Sequence, residues 1–427
     1  MRLKLIATAI GVCLLVACSS PTTTPVSLPT ATAPLIVTSG GPDATATTEA
    51  AVPTTPEPTS TTAPTLPAPT AQIVTPLTVT QFGPANFPDN VDPLTGLQVA
   101  DASVLNRRPL AVKVSEFPRR VRPQDGLSLA DLVFEHYAEA GVSRMTAIFL
   151  GNESPKVGSI RSARLIDLVL TESYKAMLIT SGSSQGVLSA LQQTPFFNRL
   201  IGEATGFNKC PPLCREGTQP STDNLFASTA DLWKTTDSLG LNGRQDLHGM
   251  AFFPTAPAGG KPATTIHIEF QANQSFQNIN EWRYDAASSR YQRWVDTDTA
   301  GQFTPHTDAI NGQQLSAANV VVLYVNHATS IIPEDFGNGG HCGYEIQLWN
   351  SGPARLFRDG QEYDLTWARF KSADEIGFIR PDNTVFPFKP GNSWFEVVNF
   401  DSPTTFDGGV FTARFKGPSQ QVGCPIR

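Results

Sequence analysis

Between Ser19 and about Gln81 the chain consists largely of Thr, Pro, Ala and Ser, and Asp43, Glu49 and Glu57 are its only charges. Such a stretch has too little apolar surface to offset the entropy of ordering its backbone, so it forms no core. Folding is confined to the roughly 340 residues C-terminal to it, enough for two domains of ordinary size. As a flexible coil of about 60 residues the stretch has an end-to-end distance on the order of 50 Å, rising toward roughly 200 Å if its prolines hold polyproline II. It reads as a spacer.

What it tethers the fold to is written in the first residues. Arg2 and Lys4 precede an apolar run from Leu5 to Ala17, and Leu15-Val16-Ala17-Cys18 has the form of a bacterial lipobox. The run is too short to span a bilayer as a permanent helix, so the expected membrane anchor is a lipid on Cys18. The competing reading is an ordinary secretory leader with an unrelated cysteine. The expected organisation is a leader at 1–17, the lipidated Cys18 and tether at 18–85, and two folded parts on the extracytoplasmic face of the cell membrane.

A net charge of −7 and a pI near 5.4 argue against nucleic acid as a partner and against electrostatic adhesion to anionic lipid. Once Cys13 leaves with the leader and Cys18 is lipidated, Cys210, Cys214, Cys342 and Cys424 remain. Outside the cytoplasm these suggest two disulfides, Cys210 with Cys214 and Cys342 with Cys424. The alternative, a metal held by all four thiolates, lacks a second close pair. His136, His248, His267, His306, His327 and His341 show no ligand spacing, and neither a Gly-x-Gly-x-x-Gly nor a Walker loop occurs. No metal and no cofactor is expected.

Phe253-Pro-Thr-Ala-Pro-Ala-Gly-Gly-Lys-Pro262 is the strongest break after the tether and divides a part at 90–253 from one at 262–427. In the first, residues 109–115, 132–137 and 142–150 read as strands, with helices at 162–177 and 186–193, an α+β or α/β layer. The second is mostly strand, at 264–270, 281–285, 290–295, 319–326, 343–349, 354–358, 362–370 and 394–400, which points to a sandwich or partly open barrel. Asp359-Gly360 between two alternating runs is the clearest hairpin turn.

The chemistry-bearing residues lie mostly in the first part. A four-residue loop at 138–141 would set Glu135 opposite Arg144 as a cross-strand ion pair, either a structural partner for a half-buried charge or a binding or acid–base pair. In Val157-Gly-Ser-Ile-Arg-Ser-Ala-Arg-Leu165, Ser162 reads as a helix N-cap with Arg161 and Arg164 beside it, a grouping suited to phosphate or carboxylate. The ordinary alternative is that an arginine caps a sheet end or pairs with Asp167. Ser181-Gly182-Ser183-Ser184-Gln-Gly186 contains Gly-x-Ser-x-Gly with Ser184 in the nucleophile position, and Asp223 or Asp246 followed by His248 would complete a hydrolase order. A Gly/Ser loop lining a ligand pocket with backbone N–H groups is the competing reading.

Asp92-Pro-Leu-Thr-Gly96, Arg107-Arg-Pro-Leu-Ala-Val-Lys113, Arg122-Pro-Gln, Ala130-Asp-Leu-Val-Phe-Glu135, Arg144, Val157 to Arg164 and Asp223-Asn-Leu-Phe226 together resemble the YerB family of bacterial lipoproteins. The resemblance covers the first part nearly end to end, and Gly360, Trp367, Gly391 and Trp394 extend it into a β-rich second part. It implies no activity, since the family is one of unknown function. Relatives tend to carry His-x-Gly-Gly-Ser where this chain has Thr180-Ser-Gly-Ser-Ser184, and often His-Asn where it has Asp223-Asn224. If those histidines serve catalysis in relatives, this chain is a binding variant.

The leading expectation is thus a lipid-anchored binding module for an anionic or polar wall-associated ligand held by Glu135, Arg144, Arg161, Ser162, Arg164, Ser181, Gly182, Ser184, Asp223 and Asn224. The first rival is a hydrolase of an envelope glycan, peptide or ester bond with Ser184 or Ser183 as nucleophile and His248 as base. The second is an accessory lipoprotein that presents its β-rich part to a partner protein.

Overall fold

The computed structural model describes residues 81–139, 141–272, 277–334 and 342–418. The leader, Cys18, nearly all of the tether and Cys424 lie outside these residues.

The protein is mostly β, with 40% strand and 13% helix, which sets the fold class as mixed with a large β component. Among the described residues eleven strands form one large sheet: β1 (Leu110–Ser115), β2 (Leu132–Tyr137), β3 (Ser143–Phe149), β4 (Met177–Ile179), β5 (Leu200–Ile201), β6 (Lys261–Pro262), β7 (Asn319–Val325), β8 (Asn350–Arg358), β9 (Gln361–Arg369), β10 (Gly377–Ile379) and β11 (Ser393–Asn399). Across the sheet they run β6-β9-β8-β7-β11-β2-β3-β1-β4-β5, with β10 beside β9. The segments on either side of the 253–262 break meet inside this sheet. There β2 pairs in parallel with β11, Leu132 opposite Ser393 and His136 opposite Val397.

The central strands are buried throughout because both faces are covered, and most of their residues are apolar. Leu110, Val112 and Val114 of β1 face one core and Ala111 the other. Over the first core lies a second sheet, built from Thr265–Ala272, Gln277–Asp285, Arg290–Asp296, Phe303–Pro305, Ser316–Ala317, Thr404–Asp407 and Val410–Arg414. It contributes Ile266, Ile268, Phe270, Trp282, Tyr291 and Phe411 to that core. Against the opposite face pack α1 (Leu165–Ser173) and α2 (Gln185–Gln192), through Ile166, Leu170, Val187 and Leu191. The result is three layers, helices on the large sheet on the second sheet. A third helix, α3 (Thr229–Ser238), is capped by Ser228, which accepts from Asp231 N–H, and joins the first core through Leu232 and Trp233.

Local chemistry accounts for the element ends. Asp359 and Gly360 both take positive φ, 53° and 72°, and Arg358 pairs with Gln361, so they form the two-residue turn of the β8–β9 hairpin. The helix expected from Ser162 starts later, at Leu165, because residues 160–161 are drawn to the sheet: Ile160 bridges Val114, and Arg161 N–H donates to Lys113 O at 2.9 Å. Arg164 rather than Ser162 occupies the N-cap position, and the Asp167 carboxylate accepts its N–H at 2.6 Å.

The β2–β3 hairpin corrects the expected ion pair. Its loop holds five residues, Ala138 to Val142, closed by Ala138 N–H on Val142 O at 2.8 Å. The extra residue shifts the register by one, so Glu135 faces Met145 and Arg144 faces His136. With a side-chain period of two, that slip puts Glu135 and Arg144 on opposite faces of the sheet. Cys210 and Cys214 form a disulfide, with Cα atoms 4.6 Å apart. Cys342 is also disulfide-bonded; Cys424, the partner expected for it, is outside the described residues.

Candidate functional site

Strands β1 and β4 are parallel, β2, β11 and β7 are parallel, and both β1 and β2 run antiparallel to β3. Five strands therefore end on one edge, the position where open α/β sheets place ligands. The loops after β2 and β4, and the 159–164 segment that precedes α1, all gather at this edge.

Beneath the edge lies a fully buried polar knot on the helix-covered face. Lys113 Nζ donates to Asp167 Oδ1 at 2.9 Å and Thr146 Oγ1 at 3.0 Å, and lies 2.5 Å from His136 Nε2. His136 Nδ1 sits 2.9 Å from Tyr137 O, so the proton is on Nδ1 and Nε2 accepts from the lysine. Burial lowers the Lys113 pKa to about 8 against the pull of Asp167, and burial with the Lys113 charge holds His136 well below its usual value.

Above the knot, Arg144 and Arg164 converge on Glu139. Arg144 Nη2 lies 2.9 Å from Glu139 Oε1, Arg164 Nε donates to Glu139 Oε2 at 2.6 Å, and Arg164 Nη2 also contacts Oε1. Arg144 Nη1 donates to Ser162 O at 2.8 Å. Burial alone would raise the Glu139 pKa, but the two arginines outweigh it and bring it to about 2. These arginines are therefore committed internally.

Arg161 and the surface-facing Arg120 share one carboxylate. Arg161 Nη1 lies 3.2 Å from Asp223 Oδ1, Arg120 Nε donates to Asp223 Oδ2 at 2.9 Å, and Asp223 is itself fully buried. Arg161 O accepts the Ser181 N–H at 3.1 Å, and Gly182 O accepts the Ala163 N–H at 2.9 Å, stitching this arginine segment to the loop after β4. Gly182 has φ +136°, and nothing lies within 4 Å of where a Cβ would stand, so its backbone borders open space. Ser183 is half-exposed beside it. Asn224 turns to Arg215, whose Nη1 donates to its Oδ1 at 3.1 Å.

The serine-nucleophile geometry is not assembled. Ser184 is the N-cap of α2, its Oγ accepting the Val187 N–H at 3.3 Å. His248 lies 3.7 Å from Asp246 and gives its N–H to Glu375 at 2.6 Å, while Lys175, just before β4, donates to Asp246 O. Ser184 lies past the other end of β4. No hydrogen bond among the described residues joins the His248 imidazole to the Ser184 hydroxyl.

Glu135 belongs to a second buried cluster, between the two sheets. Arg293, 0% exposed, lies 2.7 Å from Glu135 Oε2, 3.2 Å from Glu396 Oε1 and 3.8 Å from Glu116 Oε1. Its guanidinium sits 4.5 Å from the Trp394 ring and 5.2 Å from the Trp282 ring, and its Nε donates to His306 Nδ1 at 3.0 Å. Burial raises the Glu116 pKa to about 7, against Arg122; burial and the Glu135 charge raise that of Glu396 to about 8.

The same architecture is found in known proteins. Residues 94–242 match the family model described as the N-terminal domain of a protein of unknown function, DUF3048, and residues 266–395 match that of its C-terminal domain. The chain belongs to the DUF3048 family. A relative from Bacillus subtilis (strain 168), described as "Putative lipoprotein YerB", is 27% identical over 310 residues, which covers 72% of this chain and 85% of the relative. The crystal structure of YerB protein from Bacillus subtilis superposes with a TM-score of 0.61 at 25% identity, over 73% of this chain and 97% of that one. Among the described residues no helix is long and apolar enough to cross a membrane.

In this DUF3048 chain the sequence led to Arg144, Arg161, Arg164 and Asp223 but not to their partners. Lys113 carried a signal, as the one charge inside an apolar strand. Glu139 and Arg120 carried none, because each sits in a loop of ordinary polar composition and acts only through distant partners.

Proposed function

We propose that this chain is a lipid-anchored extracytoplasmic protein whose folded part binds an anionic wall-associated ligand at the carboxyl edge of the large sheet. The lipobox ending at Cys18 and the tether support the anchor, as does the lipoprotein description of the Bacillus subtilis relative. The observation that carries the ligand reading is that two guanidinium groups, Arg120 and Arg161, share the single carboxylate of Asp223. That leaves one net positive charge next to the open backbone of Gly182. The Arg120 side chain is 49% exposed and that of Arg161 20%, so guanidinium donors remain at the surface for a phosphate or carboxylate. Arg144 and Arg164 serve as structural supports that fix the loop through Glu139, and Ser181, Gly182 and Ser183 supply the rim.

Chemical denaturation with and without phosphate, sulfate or muropeptide fragments tests this. A ligand at 100 times its Kd adds about 2.7 kcal/mol to the unfolding free energy. Arg161→Ala and Arg120→Ala should both abolish that gain; loss of the half-exposed Arg120 should leave stability nearly unchanged, whereas Arg161→Ala and Arg164→Ala should each cost ~1–3 kcal/mol by weakening the pairing of Asp223 and Glu139. A ligand gain that survives both Arg161→Ala and Arg120→Ala, or no gain with any of these anions in the wild type, would overturn the proposal.

A further inference from the structure

One buried acid at the carboxyl edge is left without a donor by the internal pairs. Glu334 comes directly after the strand His327–Pro333, and its side chain is 1% exposed, yet neither of its oxygens accepts a hydrogen bond. The nearest cation, Arg164 Nε, is 3.5 Å from Oε2 and already donates to Glu139 at 2.6 Å. Burial raises the Glu334 pKa against the pull of Arg164, and the Ser184 hydroxyl at the start of α2 stands beside the carboxyl. A carboxyl group buried without donors is costly, and native proteins supply such groups with a partner.

Charge selects the partner. Around Glu334 stand Arg144 and Arg164 against Glu139 and Glu334 itself, an even balance. An arriving ammonium would lie against Arg164 and an arriving anion against Glu334, so the group that fits is an uncharged donor, a hydroxyl or an amide N–H. Ser181, whose N–H bonds the Arg161 backbone carbonyl, stands three residues before Ser184, which faces Glu334, so one short loop joins the two groups of donors and acceptor.

We infer that the ligand of this edge is an anionic sugar, with its anionic group at Arg120 and Arg161 and its hydroxyl or amide N–H groups on Glu334. This rests on the ligand site proposed above and names its ligand class. Titration calorimetry with inorganic phosphate, N-acetylglucosamine and N-acetylglucosamine 1-phosphate tests it. The sugar phosphate should bind the wild type about tenfold or more tighter than phosphate, the equivalent of one hydrogen bond to a charged group. Glu334→Ala should erase that difference while phosphate binding stays. Glu334→Gln, which keeps the shape and removes the stranded charge, should unfold at a temperature no lower than the wild type.

Equal binding of phosphate and sugar phosphate, a difference that survives Glu334→Ala, or a marked loss of stability in Glu334→Gln would each overturn the inference and leave the anion site standing. Binding of neither probe would remove the anion site and this inference with it.

Discussion

Replacing Arg293 with Met removes the one cation enclosed by Glu116, Glu135 and Glu396 while keeping an unbranched side chain between the Trp282 and Trp394 rings. Breaking a buried ion pair costs about 3–5 kcal/mol, because the surviving carboxylate keeps its desolvation penalty without its partner. Glu396, with its pKa near 8, already carries a proton over most of the neutral range, so at pH 7 the cost falls mainly on Glu135. Its remaining donor is Ser143 Oγ, 2.6 Å from Oε1. The expected loss at pH 7 is therefore ~3–5 kcal/mol, a large part of the 5–15 kcal/mol typical of a folded protein. At pH 5 part of it should return, because Glu116, raised to about 7, is then protonated. Urea unfolding followed by tryptophan fluorescence at both pH values measures this, with Glu396→Gln as the counterpart, expected within ~1 kcal/mol of the wild type at pH 7. A loss below ~1 kcal/mol for Arg293→Met at pH 7, or the same loss at pH 5, would refute the view that this arginine compensates buried charge.

The wild type should be most stable at about pH 4 and lose stability above it, as read from Tm across buffers. On the alkaline side, Asp92, Glu116 and Glu396, raised to about 6, 7 and 8, hold protons that the unfolded chain releases in the ordinary carboxylate range, so stability falls as pH rises from that range up to those values. His267, lifted to about 9 by Glu269 and Glu281 against partial burial, loses its contribution in the same direction. On the acid side, Glu139 loses its contribution as pH falls from 4.5 toward 2, and buried His327, held near 4, is charged only in the unfolded chain between about 6.5 and 4. A Tm that climbs from pH 6 to 8 would contradict this assignment. Ser184→Ala should cost ~1 kcal/mol for the lost α2 cap and leave fluorophosphonate labelling at the wild-type background; labelling that depends on Ser184 would restore the hydrolase reading.

Period-two alternation, Asp359-Gly360 and the 3.6-residue pattern placed most strands and two of the three α-helices of the first part within a few residues, since each signal is local; α3, short and polar on its outer face, was missed. The β2–β3 register was not local: one additional loop residue, fixed by Ala138 bonding Val142, moved Glu135 from Arg144 to Arg293, which comes from the second sheet. The candidate site was half legible for the same reason. Arg161 and Arg164 stood out beside a glycine turn, but whether they were free depended on Glu139 and Asp223, brought to them by the fold. Ser184 looked like a nucleophile because a helix N-cap and a nucleophile elbow use the same residue types before an apolar helix.

The parallel pairing of β2 with β11 has a consequence for how the protein is made. Leu132 finds Ser393 across more than half the chain, so until nearly all of it has been synthesised, β2 and β3 lie in a sheet with one open edge. Closing so long a loop makes folding slow and leaves the intermediate prone to pair with other chains. The two family segments are thus neighbours in sequence but not separable units of assembly. A chain cut at the 253–262 break would expose β2 in one fragment and β11 in the other as sticky edges.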